Sequence, residues 1–222
     1  HTEKKIVLYP MYAENRRLER NENIIKKVES TGIIIDTILD YTKAELNNQF
    51  LEGTGSMVLD RKNKKAYASI SERTSEILLD EFCDEFNYMP IVFESYQNHG
   101  NRSYLIYHTN VMMCVADKYS VICLESIKSE DEKKKVKQSL IDDGKEIIEI
   151  SSKQLDCFSG NMIELIYNKK SYLVMSETAF KSLSENQLSS INNYSEIIYS
   201  NVDTIESCGG GSVRCMIAEV FN

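Results

Sequence analysis

One pattern recurs along this chain and limits what it can fold into. A short strand-like run is followed by a polar turn, a second run, an amphipathic helix pattern and a third run. "GSMVLD" leads through "RKNK" to "KAYASIS". "SERTSEILLDEFCDEF" then places Leu78, Phe82 and Phe86 on one helical face, and "YMPIVFES" closes the unit. The order returns as "NVMMCVAD", "SVICLES", the helix pattern "SEDEKKKVKQSLIDD" and "KEIIEIS". That helix has Val136 and Leu140 one turn apart and an acidic, serine-led start. A third copy reads "NMIELIYN", "SYLVMS", one helix over "TAFKSLSENQLSSINN", then "SEIIYSNV". A shortened first unit has "KIVLYPM", one helix over "ENRRLERNENIIKKVES", then "GIIIDTILDY". The last unit is only its opening strand, "VRCMIAEVF". Met57, Met112, Met162 and Met216 mark the register, recurring roughly every 50–55 residues. They read as core gap-fillers.

A unit of this kind cannot bury its sheet alone, so neighbours must stack and share a core. The implied fold is α/β, with the opening strands packed around a common axis. The turns ahead of those strands then converge. They are "NNQFLEGTGS", "YLIYHTN", "LDCFSGN" and "ESCGGGSVR".

Those turns carry the residues with chemistry. Equivalent positions hold Glu52, His108, Asn161 and Cys215. A cysteine with a distant histidine is the expected form of a nucleophilic site. The thiolate is the attacking species, and Arg214 with the N–H groups of a glycine turn would favour the anion. His108 can pass protons near neutral pH, and Glu52 can hold the N–H donors of a planar cation. Each has a plainer reading alone: a buried thiol, a hydrogen-bonded histidine, a turn carboxylate. Coincidence at one repeat position favours the catalytic reading.

Composition narrows the partners. A net charge of −8 and a pI near 5.1 argue against nucleic acid and against an anionic membrane surface. No apolar stretch approaches the roughly 20 residues that span a bilayer. Six scattered cysteines without a C-x-x-C pair point to free thiols in a reducing, cytoplasmic setting and to no metal site. The "CGGGS" turn lacks the lysine of a phosphate loop, so no cofactor is implied. The run "EDEKKKVK" reads as a solvated helix face.

"LEGTGSMVLD", "ASISERT", "YHTNVMM", "FSGNM" and "GGGSVRCMIAEVF" together resemble the amidinotransferase and arginine deiminase superfamily. The likeness spans the chain and is nearest to the bacterial amidinotransferase-like branch associated with citrulline use. It implies a pentein fold, an α/β propeller of ββαβ units with pseudo-fivefold symmetry. Residues 1–222 would then form one domain whose first blade is truncated. It also implies that the natural chain is longer and that this one alone is weakly active or inactive.

By the same resemblance, Cys215 attacks a guanidinium carbon, His108 is the general acid and base, and Glu52 holds the guanidinium. Arg73 matches an arginine that pairs with a substrate carboxylate, and Arg17 a second one, with Arg16 as its competitor. Asn110, Asn161 and Arg214 complete the expected substrate contacts. Asn110 stands where deiminases carry the aspartate of H-x-D, and Ser56 lies near the place of the E-G-G-D aspartate. A less charged, ureido substrate therefore enters consideration. Hydrolysis is the expected fate of the covalent intermediate. Amidino transfer to an amine, and a non-catalytic binding propeller, remain alternatives. The expected partner is a small guanidino or ureido molecule, with a homo-oligomer possible.

Overall fold

Three ββαβ units and one βαβ unit follow one another along residues 4–220, which the computed structural model describes. The first holds β1 (Lys5–Leu8), α1 (Glu22–Glu29) and β2 (Thr37–Asp40), with Lys5 opposite Thr37 in a parallel ladder. The second holds β3 (Val58–Asp60), β4 (Lys65–Ser69), α2 (Glu76–Phe86) and β5 (Met89–Phe93). Its strands are ordered β3-β4-β5, the first pair antiparallel and the second parallel. A hairpin of β6 (Tyr96–His99) and β7 (Arg102–Leu105) comes next, then the short α3 (Thr109–Met112). The third unit is β8 (Met113–Val115), β9 (Tyr119–Ile122), α4 (Glu130–Asp142) and β10 (Glu146–Glu149), followed by α5 (Ser152–Leu155). The fourth is β11 (Ile163–Tyr167), β12 (Lys170–Ser176), α6 (Glu177–Ser182), α7 (Glu185–Asn192) and β13 (Glu196–Ser200). The chain then runs through α8 (Asp203–Gly209) to a 3-10 turn over Val213–Met216.

Local chemistry explains most of these boundaries. In α2 the residues Leu78, Leu79, Phe82, Cys83 and Phe86 form the buried stripe, and Asn87 closes the helix in the left-handed region at φ 55°. The Ser129 side chain accepts from the Glu132 N–H to cap α4, whose first turn carries Glu130, Asp131 and Glu132 against the helix dipole.

The structure departs from the sequence reading in five places. The opening strand read from Asn110 begins as the helix α3 and is extended only over Met113–Val115. The single helix expected over 178–193 is two, because Leu183 is extended and Ser184 starts α7 with a capping box to Gln187. The single helix expected over 14–30 is a 3-10 segment (Glu14–Glu19) and then α1, which Asn21 caps. The β6–β7 hairpin, turning at Gly100 with φ 61°, lies outside the repeat pattern. The expected last strand is absent among the described residues. Val213–Met216 is a 3-10 turn, and 217–220 pairs with no strand; Phe221 lies outside the described residues. Met57, Met112 and Met162 are fully buried, whereas Met216 is 48% exposed because it rides on that turn.

Neighbouring units are joined along their opening strands, β3 beside β8 and β8 beside β11. These strands, with Arg214 and Glu219, surround a cavity of about 790 Å3. Polar ties reinforce the seam. Lys65 Nζ donates to the Ser139 carbonyl, and the Tyr67 hydroxyl lies 3.0 Å from that of Ser139. Tyr119 donates to the Ser195 hydroxyl at 2.9 Å. The deepest tie is ionic. The fully buried Lys145 ammonium meets Asp60 at 2.8 Å and donates to the Ala116 carbonyl. Removing one partner of such a pair leaves a buried, uncompensated charge. Lys145→Met is expected to lower folding stability by about 3–5 kcal/mol, read by chemical denaturation. A loss no larger than that of an exposed Lys170→Met control would contradict the seam's role.

Candidate active site

The four turns meet at one end of the opening strands. The Glu52 N–H donates to the Ser56 hydroxyl, which donates in turn to the Arg73 carbonyl. Gly53 turns the chain at φ 57°. The result buries Glu52. Glu52 Oε2 lies 2.6 Å from His108 Nε2, and Oε1 accepts the Tyr12 N–H at 2.8 Å. Arg73 Nη1 approaches Oε2 at 3.7 Å. Burial alone would raise the Glu52 carboxyl. The hydrogen bonds from His108 and the Tyr12 N–H, with the charges of His108 and Arg73, more than offset it and hold the group below its ordinary value.

His108 is the N-cap of α3. Next to it, Thr109 Oγ1 accepts the Ser69 N–H and donates to the Ser56 carbonyl, pinning the segment to β4 and to the Glu52 turn. The imidazole packs on Gly55, where an added Cβ would sit 2.9 Å from Nδ1 and Cε1. No side chain fits there. A carboxylate oxygen only accepts, so Nε2 carries the proton of the Glu52 bond and Nδ1 remains for other partners.

The thiol arrives on the glycine turn. Gly210 takes φ 67°, and its carbonyl accepts the Tyr107 hydroxyl at 2.8 Å, clamping the turn beside His108. The Cys215 N–H donates to the Ser212 carbonyl. Asn161 Nδ2 lies 3.3 Å from Cys215 Sγ and donates to the Asn110 carbonyl at 3.0 Å. Asn110 Nδ2 donates to the Thr54 carbonyl at 3.2 Å and reaches Sγ only at 3.9 Å. Cys215 is exposed, whereas burial pushes the thiols of Cys83 and Cys114 up to about 12 and that of Cys123 up to about 11. Those three are closed to thiolate chemistry at neutral pH.

The cations divide. The Arg73 guanidinium lies between the Tyr107 ring at 4.9 Å and the Tyr12 ring at 5.5 Å, and its Nε is buried without a hydrogen-bond partner. Arg17 is engaged elsewhere, donating from Nε to the Met11 carbonyl and pairing with Glu45. Arg16 pairs with Glu19, its Nε at 3.0 Å and its Nη2 at 3.1 Å. Its pKa is raised chiefly by its hydrogen bond to Glu19, with smaller contributions from Glu52 and Cys215. Arg214 gives its N–H to Asn161 Oδ1, but its guanidinium donates to the Ile217 carbonyl and lines the axial cavity.

With a buried carboxylate bonded to an imidazole and an exposed thiol held by an amide, the comparisons become readable. The N,N-dimethylarginine dimethylhydrolase family, in its eukaryotic form, matches residues 1–222. The chain belongs to this family. No curated protein matches it in sequence. Among solved structures it is similar to ArgZ, an arginine dihydrolase of the cyanobacterial ornithine–ammonia cycle, at a TM-score of 0.69 and 12% identity. That likeness covers 98% of this chain and 31% of ArgZ, so the chain spans about a third of that protein. It is similar to SxtG, an amidinotransferase of Microseira wollei saxitoxin biosynthesis, at 0.64 and 11%, covering 96% of this chain and 63% of SxtG. It is also similar to a dimethylarginine dimethylaminohydrolase variant in an adduct with S-methyl-L-thiocitrulline, at 0.59 and 14%, covering 97% and 71%. These likenesses give the fold: the α/β fold of the pentein enzymes.

In this member of the dimethylhydrolase family, sequence reasoning missed the two tyrosines around Arg73. Tyr12 lies far from Arg73 in sequence and acts partly through its backbone N–H, which leaves no trace in residue type. Tyr107 directly precedes His108 and was legible only as a neighbour of the histidine. The picture of Glu52 also changes. Both its oxygens are engaged by the protein, one with His108 and the other with Tyr12, so its first partner is the imidazole.

A carboxyl held below its ordinary value binds protons more weakly in the folded chain than in the unfolded one. Its contribution to stability is complete above the ordinary glutamate value of 4.5 and is lost as pH falls through the depressed one. Glu52→Gln is therefore expected to melt lower than the parent at neutral pH. Its melting temperature should also fall less steeply than the parent's as the solution is acidified. Melting curves across that interval check this, and equal acid slopes would contradict it.

Proposed function

We propose that this chain hydrolyses a C–N bond of a methylated arginine or a close guanidino relative through a covalent cysteine intermediate. The observation that carries the reading is the 2.6 Å Glu52–His108 bond at the same end of the fold as the exposed Cys215 thiol. Membership of the dimethylhydrolase family supports the substrate class.

The steps follow from the groups present. The Cys215 thiolate forms an S–C bond to the guanidinium carbon, and the carbon becomes tetrahedral. His108 gives its proton to the departing nitrogen, the C–N bond breaks and the amine leaves. Glu52 orients the imidazole and stabilises its cationic form, as the carboxylate of a nucleophile–base–orienter set does. The neutral His108 then takes a proton from water as its oxygen adds to the same carbon. The S–C bond breaks, the thiolate returns and a ureido product is released. Arg73, held rigid between Tyr12 and Tyr107, pairs with the substrate carboxylate, and Arg16 rather than Arg17 supplies the second cation.

The repeat supports a propeller with pseudo-fivefold symmetry, whose axis is the cavity between β3, β8 and β11. Asn110 favours a second substrate reading, a neutral ureido compound such as citrulline. It sets an amide, not a carboxylate, near the thiol.

Chloroacetamidine, a guanidinium-like alkylating agent, tests the thiol. It should label Cys215 ahead of the other five cysteines, and equal labelling of Cys208 and Cys215 would overturn the reading. On a panel of dimethylarginine, arginine and citrulline, amine release should vanish in Cys215→Ser. It should fall by about 10²–10⁴-fold in His108→Ala. Turnover that survives Cys215→Ser excludes the covalent route.

A further inference from the structure

Asn161 has a place in the site that neither the repeat nor the family membership explains. It is 2% exposed. Its two amide ends face backbone groups of opposite polarity on different turns. Oδ1 accepts the Arg214 N–H at 3.1 Å, and Nδ2 donates to the Asn110 carbonyl at 3.0 Å. Reversing the amide would set donor against donor and acceptor against acceptor, so the orientation is fixed. One hydrogen of Nδ2 is spent on Asn110. The other is left for Cys215 Sγ at 3.3 Å; the protonated thiol can also donate to Oδ1 at 3.7 Å, and once ionised it can only accept from Nδ2.

The anchor of this amide is as rigid as its bonds. Asn161 closes a tight turn in which its N–H donates to the Phe158 carbonyl and Phe158 takes φ 61°. The preceding Gly160 rests on the backbone of the neighbouring unit. An added Cβ there would lie 2.3 Å from the Val111 carbonyl oxygen and 2.9 Å from Met112 Cα. The amide therefore cannot drift from the thiol without moving two units.

We propose that Asn161 is the positioning residue of the nucleophile: it aims Cys215 and stabilises its thiolate, rather than binding substrate. A donor fixed on sulfur favours the anion over the thiol. It would act twice, before attack and again when the thiolate leaves the tetrahedral adduct during hydrolysis. The inference deepens the proposed function and rests on Cys215 being the nucleophile there.

The experiment is the pH profile of iodoacetamide alkylation, followed residue by residue by mass spectrometry in the parent, Asn161→Ser and Asn161→Ala. Iodoacetamide is neutral and needs no substrate pocket, so the result is independent of turnover. Trypsin cuts after Arg214 and releases Cys215 on its own peptide, with Cys208 on the preceding one. The buried Cys83, Cys114 and Cys123 report folding in the same digest, since they stay unlabelled only in a folded chain. Asn161→Ser is uncharged, unlike Asn161→Asp, whose carboxylate would raise the thiol by repulsion alone, and it serves if Asn161→Ala unfolds.

The half-maximal pH for Cys215 should rise by about one to two units in both variants, the worth of a hydrogen bond to a charged group, while the Cys208 profile stays in place. An unmoved Cys215 profile in a folded variant overturns the inference. If the profile moves but chloroacetamidine fails to prefer Cys215 in the parent, Asn161 keeps its role and the proposed substrate class is what fails.

Discussion

The backbone of one unit lies directly on the backbone of the next at Gly160, where not even a methyl group fits against Val111. This contact sets the level of the third turn relative to the second, and much else follows from it. Asn161 is the next residue, so its amide is registered against Asn110 on one side and Arg214 on the other. Gly55 plays the same part beneath His108, where the imidazole ring takes the space a side chain would need. Close packing without side chains transmits position with little slack. A site assembled from four distant turns needs that stiffness.

The electrostatics of the site are arranged in a chain. Arg73 and the Tyr12 N–H hold Glu52 anionic, Glu52 holds His108, and Tyr107 links the histidine segment to the glycine turn that carries Cys215. Burial works against the carboxylate and for the specificity of the arrangement. In a low-dielectric setting each bond to Glu52 is worth more, and each missing bond would cost more. The thiols divide along the same line: Cys83, Cys114 and Cys123 are silenced by the burial that makes them part of the core.

The repeat was legible in sequence because hydrophobic period and turn chemistry agree in the three complete units. Met57, Met112 and Met162 are buried at matching places, but each sits one residue ahead of its opening strand, not inside it. Legibility failed where a local competitor outweighed the period. Ser184 with Gln187 stopped one helix and started another, a reciprocal cap that looks like two ordinary polar residues in the sequence. The segment around Met216 has strand-like composition but finds no ladder partner among the described residues, so composition alone could not make it a strand. The site residues were legible as types at matching repeat positions, while their pairings were not. Arg16 and Arg17 are adjacent and chemically alike. Their partners separate them: Glu45 and the Met11 carbonyl hold Arg17, and Glu19 holds Arg16.

The carboxylate of Glu52, the imidazole of His108, the amide of Asn161 and the thiol of Cys215 each arrive on their own turn, with Asn110 sharing that of His108. Such a site is divisible in evolution. A change of one of these side chains alters one function while the glycine contacts between the turns stay in place. Asn110 is a case in point: its N–H is held by the Gly55 carbonyl, a bond any side chain there would leave in place, whereas only an amide can donate to the Thr54 carbonyl, so a carboxylate would change that one contact. A scaffold with this property can exchange substrates by single steps, and the choice of substrate becomes a property of one turn.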